Sequence, residues 1–214
     1  MPKALLFDLD GTLAETDPLH FRAFAAMLRD HGVELTEEDY GRHITGRSNA
    51  VIMAHFLPGH AVEDHVRLAA AKEAAFRRLA EDLVPVEGLA ALLDSARERD
   101  MKVALVTNAP RENAVHMLRV LGLADRFHLL VIGDELPHAK PHPLPYATAL
   151  EGLGVTAEDA VAFEDSRTGI ASAKGAGIFT VGLTTTHGAE ELREAGADVI
   201  CRDFADPALH TLLA

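Results

Sequence analysis

The sequence predicts an α/β fold, in which a parallel β-sheet carries helices on both faces and is interrupted by one helical insertion. Short apolar runs that end at polar residues alternate with helical patterns through the second half of the chain, which is typical of parallel sheets. Residues 16 to 82 break this alternation, because they contain helical patterns but no strong buried-strand candidate. With 214 residues, of which 48% are hydrophobic, the chain can bury a substantial core.

Five apolar runs are the strand candidates, and the first four end at acidic residues, glycine, threonine or asparagine. These runs cover residues 4–7, 103–106, 129–132, 160–163 and, with a weaker pattern, 180–183. Helical patterns cover residues 18–30, 61–81, 89–98, 111–121, 145–153 and 168–175. Ligands of such sheets bind outside the carboxyl ends of the strands, so the polar residues after each strand are candidate site residues.

The helical insertion separates the chain into two predicted domains. Residues 1–15 and 83–214 form the sheet-containing core, and residues 16–82 form a helical domain. The return to the core falls at residues 83–88, where Pro85 and Gly88 mark a linker.

Composition limits the partners that this chain can have. A formal net charge of −13 opposes binding to nucleic acid or to an anionic membrane. A small anionic substrate remains possible if a cation reverses the potential inside one cleft. No apolar stretch approaches the ~20 residues of a bilayer span, so we expect a soluble, cytoplasmic protein, and a monomer. The single cysteine, Cys201, gives no support to a thiol mechanism.

Four carboxylates follow two of the predicted strands. Asp8 and Asp10 stand two positions apart, where strand alternation directs them to one side, although this pair alone could equally solvate a turn. Glu164 and Asp165 follow another core strand and open onto the same edge. The four charges repel one another and Lys140 offsets only one, so the site requires a cation. Mg²⁺ is the natural candidate, because it prefers oxygen ligands shared with substrate phosphate.

Four sequence motifs, taken together and in order, resemble the signatures of the haloacid dehalogenase superfamily. They are Phe7-Asp8-Leu9-Asp10-Gly11-Thr12-Leu13, Val106-Thr107-Asn108, Lys140-Pro141-His142-Pro143, and Glu164-Asp165-Ser166 with Gly169. The helical insertion resembles the cap of the branch that contains phosphoglycolate phosphatases, other sugar-phosphate phosphatases and β-phosphoglucomutase. This resemblance implies a Rossmann-like core and an α-helical cap domain that closes over the substrate.

The resemblance also implies the chemistry of the core. Asp8 would attack phosphorus to form an aspartyl-phosphate, and Asp10 would be the general acid and base. This chain would then be a Mg²⁺-dependent phosphatase of a small phosphorylated metabolite, with phosphoglycolate and sugar phosphates as the substrates that the resemblance suggests. Carbon–halogen hydrolysis is not expected, because haloacid dehalogenases lack an acid at the position of Asp10.

Further roles follow from the same resemblance. Gly11 and Asn108 would bind phosphate, Thr107 would supply a hydroxyl, and Lys140 would offset the charge of the phosphoryl group. Taken singly, Thr107 and Asn108 could instead cap the next helix, and Lys140 could be an ordinary solvated lysine; the ordered motifs favour the functional interpretation. The predicted metal ligands are Asp8, the main-chain carbonyl of Asp10, Asp165 and, directly or through water, Glu164.

The insertion contributes three candidate substrate residues and leaves an alternative open. The segment from His20 to Phe24 is close to one in β-phosphoglucomutase, Lys72 resembles a substrate-contacting cap lysine, and Arg47 is a further candidate. A phosphosugar mutase is therefore the first alternative, although Thr107 and Asn108 favour a phosphatase because the mutases carry smaller residues there. The second alternative is a non-catalytic phosphate-binding regulatory protein.

Overall fold

The computed structural model describes residues 1–213. The chain divides into two compact units, one formed by Met1–Glu15 with Leu83–Ala214 and the other by Thr16–Asp82. The strands are β1 (Ala4–Phe7), β2 (Lys102–Thr107), β3 (Leu129–Ile132), β4 (Ala160–Glu164), β5 (Phe179–Leu183) and β6 (Val199–Cys201). The α-helices are α1 (Asp17–Arg29), α2 (Glu37–His43), α3 (Asn49–Phe56), α4 (Val62–Leu79), α5 (Leu89–Glu98), α6 (Arg111–Val120), α7 (Leu144–Leu153), α8 (Arg167–Gly175), α9 (Ala189–Glu194) and α10 (Pro207–Leu213).

All six strands form one sheet in the order β3-β2-β1-β4-β5-β6, and every neighbouring pair is parallel. The predicted fold class is therefore confirmed, and all five predicted strands are present. The sixth strand, β6, has three residues and pairs only with β5, so it lies at the sheet edge. Its run is too short to stand out as a buried strand in the sequence.

The register of the central strand determines which residues meet at the sheet edge. Phe7 of β1 lies opposite Leu105 on one side and Phe163 on the other. The main-chain N–H of Asp8 continues the ladder by donating to the carbonyl of Phe163 at 3.0 Å. Asp8 therefore lies beside Glu164 in the register of the two strands. The first and fourth motifs are thus adjacent at the carboxyl end of the sheet.

Both faces of the sheet are covered, which explains why its central strands are mostly apolar. On one face, strand residues such as Leu6 and Ala162 pack against Tyr146 of α7. On the other face, the ring of Phe7 stacks on that of Phe163, with centroids 4.8 Å apart, and Phe204 packs against both. This packing fixes the strand ends from which the candidate site residues project.

In its described residues, the unit Thr16–Asp82 is helical and has its own apolar cluster. Phe24 and Leu28 of α1 pack with Ile52 and Met53 of α3. The predicted helices are present as α1 and α4, whereas α2 and α3 were not predicted. Helix α2 buries none of its residues, so it carries no apolar period, and a capping box at its first turn marks its start instead. Among the described residues, no helix is long and apolar enough to span a membrane.

Candidate active site

Lys140 joins the carboxylates of two different strand ends. Its Nζ donates to Oδ1 of Asp8 and to Oε1 of Glu164, each at 2.6 Å. All three side chains are buried. The loop between β3 and α7 carries Lys140, and the bond between Lys140 and Pro141 is cis. The third motif thus places one positive charge, the Lys140 ammonium group, between carboxylates of the first and fourth motifs.

Glu164 accepts hydrogen bonds on both carboxylate oxygens. The hydroxyl of Tyr146 donates to Oε1 at 2.8 Å, and Ser166 Oγ donates to Oε2 at 3.2 Å. Gly169 lies in the first turn of α8, next to the Glu164 carboxylate. A Cβ atom on Gly169 would overlap this carboxylate. Ser166 also caps α8 by accepting from Gly169 N at 3.1 Å. These contacts hold Glu164 in one orientation, and they explain why the fourth motif contains Ser166 and Gly169.

Asp8, Glu164 and Asp165 form a cluster that could hold a metal ion. One carboxylate oxygen from each residue lies within 4.8 Å of the others. Burial raises the pKa of Asp8 well above its ordinary value, and the charges of Glu164 and Asp165 add to this effect despite the opposing charge of Lys140. Burial also raises the pKa of Asp165 to about 7, with a further contribution from Glu164. Both pKa values are raised because burial and the charges of neighbouring carboxylates outweigh the positive charge of Lys140.

The pKa of the Lys140 ammonium group is also raised, which in a lysine favours the charged form. Burial acts to lower its pKa, but the charges and hydrogen bonds of Asp8 and Glu164 outweigh burial, so the pKa is raised above its ordinary value. Lys140 is therefore a permanent cation in the physiological range. Its charge opposes the rise in the pKa of Asp8 and so favours the ionised carboxylate that a nucleophile requires.

The second motif contacts the third through Asn108. Its Nδ2 donates to the carbonyl of Lys140, and its Oδ1 accepts from the N–H of Lys140, both at 3.1 Å. A Cβ atom at Gly133 would overlap Oδ1, so the glycine after β3 leaves room for this amide. The amide nitrogen carries two hydrogens, and only one is needed for the bond to Lys140. The second hydrogen is compatible with the predicted phosphate contact of Asn108, which stays a prediction.

Thr107 and Gly11 also lie at this edge of the sheet. Thr107 is buried, and its Oγ1 accepts from the N–H of Ala109 at 2.9 Å, which leaves the hydroxyl hydrogen for another acceptor. Gly11 has a φ of +75°, which favours glycine, and a Cβ atom there would overlap the carboxylate of Asp165. Asp10 is partly buried on the same loop. The structure thus brings all the predicted core residues to one edge, and their individual roles stay predictions.

Two of the three substrate candidates in the unit Thr16–Asp82 are in contact. Lys72 Nζ lies 2.9 Å from Nδ1 of His20, and it also pairs with Glu73 at 3.0 Å. Lys72 is buried, with Nζ 4.1 Å from the ring centroid of Phe24. Arg47 is exposed, and its guanidinium donates to the main-chain carbonyl of Arg42 at 3.4 Å. Substrate binding by these residues stays a prediction.

Several residues that contact the carboxylates were not predicted to be site residues. Tyr146 bonds Glu164, and Thr12 donates to Oδ1 of Asp165 at 3.2 Å. Thr186, in the loop after β5, lies with its Oγ1 beside the Asp165 carboxylate. The loop could have been noticed, because Thr184 to His187 is a polar run at the carboxyl end of a predicted strand. Tyr146 gave no such signal, since it lies in the apolar pattern of α7.

These features define an α/β enzyme with a buried aspartate–lysine centre, and comparison with known proteins identifies its family. The model of the haloacid dehalogenase-like hydrolase family matches residues 5–183. Validoxylamine A 7'-phosphate phosphatase of Streptomyces hygroscopicus subsp. limoneus is 37% identical over 211 residues, covering 96% of each chain. Beta-phosphoglucomutase of Bacillus subtilis is 30% identical, over 98% of this chain and 93% of that protein.

A solved structure agrees with these sequence relationships. CbbY from Rhodobacter sphaeroides, in complex with phosphate, is 32% identical and superposes with a TM-score of 0.82 over 96% of each chain. The chain therefore belongs to the haloacid dehalogenase-like hydrolase family. The predicted family is confirmed, and so is the predicted enzyme class, a hydrolase of phosphoric monoesters.

The raised pKa of Asp165 predicts how pH affects the stability of the metal-free protein. Because the pKa rises from 3.8 to about 7 on folding, the folded state binds more protons between these values, and this residue makes stability fall as pH increases through that window. Asp165→Asn removes this titration. We therefore expect the variant to gain stability relative to wild type between about pH 5 and about pH 7.5.

Urea unfolding followed by circular dichroism in the presence of EDTA measures this difference. Asp165→Asn also removes a charge that helps to raise the pKa of Asp8, and this acts in the same direction, because a smaller rise at Asp8 costs less stability as pH increases. A relative stability of the Asp165→Asn variant that is independent of pH, or that falls with pH, would contradict the expectation.

Proposed function

We propose that this chain is a Mg²⁺-dependent phosphatase that hydrolyses a small phosphate monoester through an aspartyl-phosphate on Asp8. One observation carries the proposal: Asp8 is buried at the end of the central strand, 2.6 Å from Lys140 and clustered with Glu164 and Asp165. A carboxylate nucleophile, a fixed cation and further carboxylates at one strand edge suit phosphoryl transfer.

The donor set suits a hard divalent cation. Three buried carboxylates carry three negative charges, and Lys140 supplies one positive charge against them. The described cluster consists of carboxylates alone, so its side-chain ligand atoms are oxygens and Mg²⁺ fits it better than zinc, which favours histidine and cysteine. Asp8, Asp165, the carbonyl of Asp10 and, directly or through water, Glu164 would hold it. When bound, Mg²⁺ supplies positive charge against the phosphate oxygens.

The reaction proposed has two displacements on phosphorus. In the first, a carboxylate oxygen of Asp8 forms a bond to phosphorus while the ester P–O bond breaks, and Asp10 gives its proton to the departing alkoxide. In the second, Asp10 takes a proton from water as the water oxygen attacks phosphorus, which releases inorganic phosphate and restores Asp8. Lys140 donates to Oδ1 of Asp8 at 2.6 Å, so a fixed positive charge lies beside the nucleophile.

The role of Asp10 predicts a dependence on the leaving group. In the Asp10→Asn variant, no acid protonates the departing oxygen, so turnover of an alkyl phosphate should fall by about 10²-fold or more. An aryl phosphate such as p-nitrophenyl phosphate leaves as a stable anion, so its first displacement should be affected much less. Burst-phase kinetics of both substrates separate this step from the second displacement. Equal loss of the first step for both substrates would contradict the assignment of Asp10 as the acid.

The unit Thr16–Asp82 is the part of the chain to which we assign substrate selection. Nζ of the buried Lys72 lies 2.9 Å from Nδ1 of the half-buried His20, and an ammonium held in this way suits a second anionic or hydroxyl group of the substrate. Arg47 is exposed and offers a bidentate donor. The relatives named validoxylamine A 7'-phosphate phosphatase and beta-phosphoglucomutase support a small phosphorylated metabolite such as a sugar phosphate. That the enzyme acts in the cytoplasm as a monomer stays a prediction.

A phosphosugar mutase is the second candidate. The contact between His20 and Lys72 and the relationship to a β-phosphoglucomutase favour it, because the candidate mutase segment contains His20. A mutase returns the phosphoryl group from Asp8 to a second hydroxyl of the sugar instead of giving it to water. The two candidates share the same nucleophile and differ in the final acceptor.

One assay tests both candidates. Purified protein is incubated with phosphoglycolate, a set of sugar phosphates and p-nitrophenyl phosphate, with Mg²⁺ or with EDTA, and both free phosphate and isomerised sugar phosphate are measured. Release of phosphate that depends on Mg²⁺ supports the phosphatase, whereas isomerisation without release supports the mutase. Neither product from any ester would contradict both and favour a non-catalytic phosphate-binding protein.

A further inference from the structure

The loop after β5 lies outside the four motifs, yet it contacts two of them. Three consecutive residues of this loop, Thr185, Thr186 and His187, lie against the first and fourth motifs. The hydroxyl of Thr185 donates to the main-chain carbonyl of Gly11. A ring nitrogen of His187 lies 3.0 Å from the main-chain carbonyl of Asp165. The loop thus connects two segments that the sheet alone brings only into proximity.

The middle residue of this loop reaches the carboxylate itself. Oγ1 of Thr186 lies beside Oδ2 of Asp165, because the two atoms are 2.4 Å and 2.1 Å from the point that a Cβ atom on Gly11 would occupy. Thr12 donates to Oδ1 of the same carboxylate at 3.2 Å. The two hydroxyl groups come from different loops, the loop after β1 and the loop after β5. A carboxylate with a hydroxyl group beside each of its oxygens has little freedom to rotate.

Space around Gly11 shows how closely these groups pack. A Cβ atom at Gly11 would overlap both the Asp165 carboxylate and the Oγ1 of Thr186. Gly11, the Asp165 carboxylate and the Thr186 hydroxyl therefore pack closely together. The left-handed φ of +75° at Gly11 favours glycine, and only a residue without Cβ leaves room for the other two groups. This arrangement is independent of the contacts that Lys140 makes with Asp8 and Glu164.

We infer that Thr186 is a positioning residue for the metal site, which orients the Asp165 carboxylate so that it binds Mg²⁺ without first reordering. This inference rests on the proposed metal-dependent function. Hydrogen bonds to a ligating carboxylate raise metal affinity because they fix the ligand, and losing one typically costs about 10-fold to about 100-fold in affinity. Thr186 acts through Asp165 and touches no reacting atom in this assignment.

Calorimetric titration of the full-length protein with Mg²⁺ tests the inference without any substrate. Thr186→Val keeps the shape of the side chain but removes the hydroxyl, and we expect it to weaken Mg²⁺ binding by about 10-fold or more. Thr186→Ser restores a hydroxyl and should bind within about threefold of wild type. Thr184→Val is the matched control, because the structure gives the Thr184 side chain no hydrogen bond among the described residues. It should bind Mg²⁺ as wild type does.

Thermal unfolding in EDTA separates positioning from a general effect on folding. If Thr186 only stabilised the fold, Thr186→Val would lower the unfolding temperature while the folded protein kept wild-type affinity for Mg²⁺, and that result would overturn the inference. If the valine variant does not fold, Thr186→Ala and Thr186→Ser provide the same comparison. Wild-type affinity in Thr186→Ala would equally overturn it.

The outcomes also distinguish this inference from the proposed function. Weakened Mg²⁺ binding in Thr186→Val supports the positioning role even if no ester in the panel is hydrolysed. Hydrolysis that depends on Mg²⁺, combined with unchanged Mg²⁺ affinity in Thr186→Val, leaves the phosphatase in place and overturns the role of Thr186. Wild-type protein that binds no Mg²⁺ would overturn both.

Discussion

Asp8→Asn should reduce turnover of any phosphate ester by more than about 10³-fold while leaving the fold intact. The amide has the same shape as the carboxylate, but it is a poor nucleophile and cannot form the aspartyl-phosphate. Its carbonyl oxygen can still accept the hydrogen bond that Lys140 gives to Oδ1 of Asp8 at 2.6 Å. The measurement is phosphate release under saturating Mg²⁺, with circular dichroism to verify the fold.

Asp125→Asn is the matched control for this variant. Asp125 is exposed in the loop between α6 and β3, so the same chemical change there should leave turnover within about twofold of wild type. Asp8→Asn protein that turns over substrate at a near wild-type rate would exclude Asp8 as the nucleophile. The cluster would then be a binding site and not a covalent centre.

The part of the fold that sequence analysis predicted is the part with a strong hydrophobic period. Strands β1 and β4 are buried on both faces, so they stand out as continuous apolar runs. The sequence of helix α4 has apolar residues at helical spacing, so this helix was predicted, whereas α2 buries no residue and was not predicted. Short edge elements such as β6 depend on packing against β5, which the local sequence does not encode.

The residues of the candidate site also fall into a predictable group and an unpredictable group. The carboxylates, lysine and glycines were predictable because they follow strands and match ordered motifs. The groups that orient them were not, because an orienting contact depends on which loops meet in space. Thr186 lies far from Gly11 along the chain, yet both lie against Asp165. Tyr146 is hidden in the core-facing pattern of α7, and only the position of its hydroxyl reveals its contact with Glu164.

Lys140→Met should have the second large effect, on both stability and turnover. Lys140 is buried between Asp8 and Glu164, and removing one partner of a buried ion pair typically costs about 3–5 kcal/mol because the remaining charge is uncompensated. Methionine keeps most of the volume of the lysine stem, so lost packing contributes little. Turnover should also fall by about 10²-fold or more, since the phosphoryl group loses a fixed cation. Urea unfolding and phosphate release measure the two effects.

The pH dependence of this loss separates charge from packing. With Lys140 absent, Asp8 loses the charge that lowers its pKa and is expected to bind a proton more readily at low pH, so the variant should be less destabilised at about pH 5 than at about pH 8. Lys3→Met is the control, because Lys3 is 68% exposed and its pair with Asp159 is screened by solvent, so the variant should lose little stability. A loss for Lys140→Met that is the same at both pH values would indicate that the lysine acts by packing, since the charge that Lys140 holds against Asp8 must become more important as Asp8 ionises.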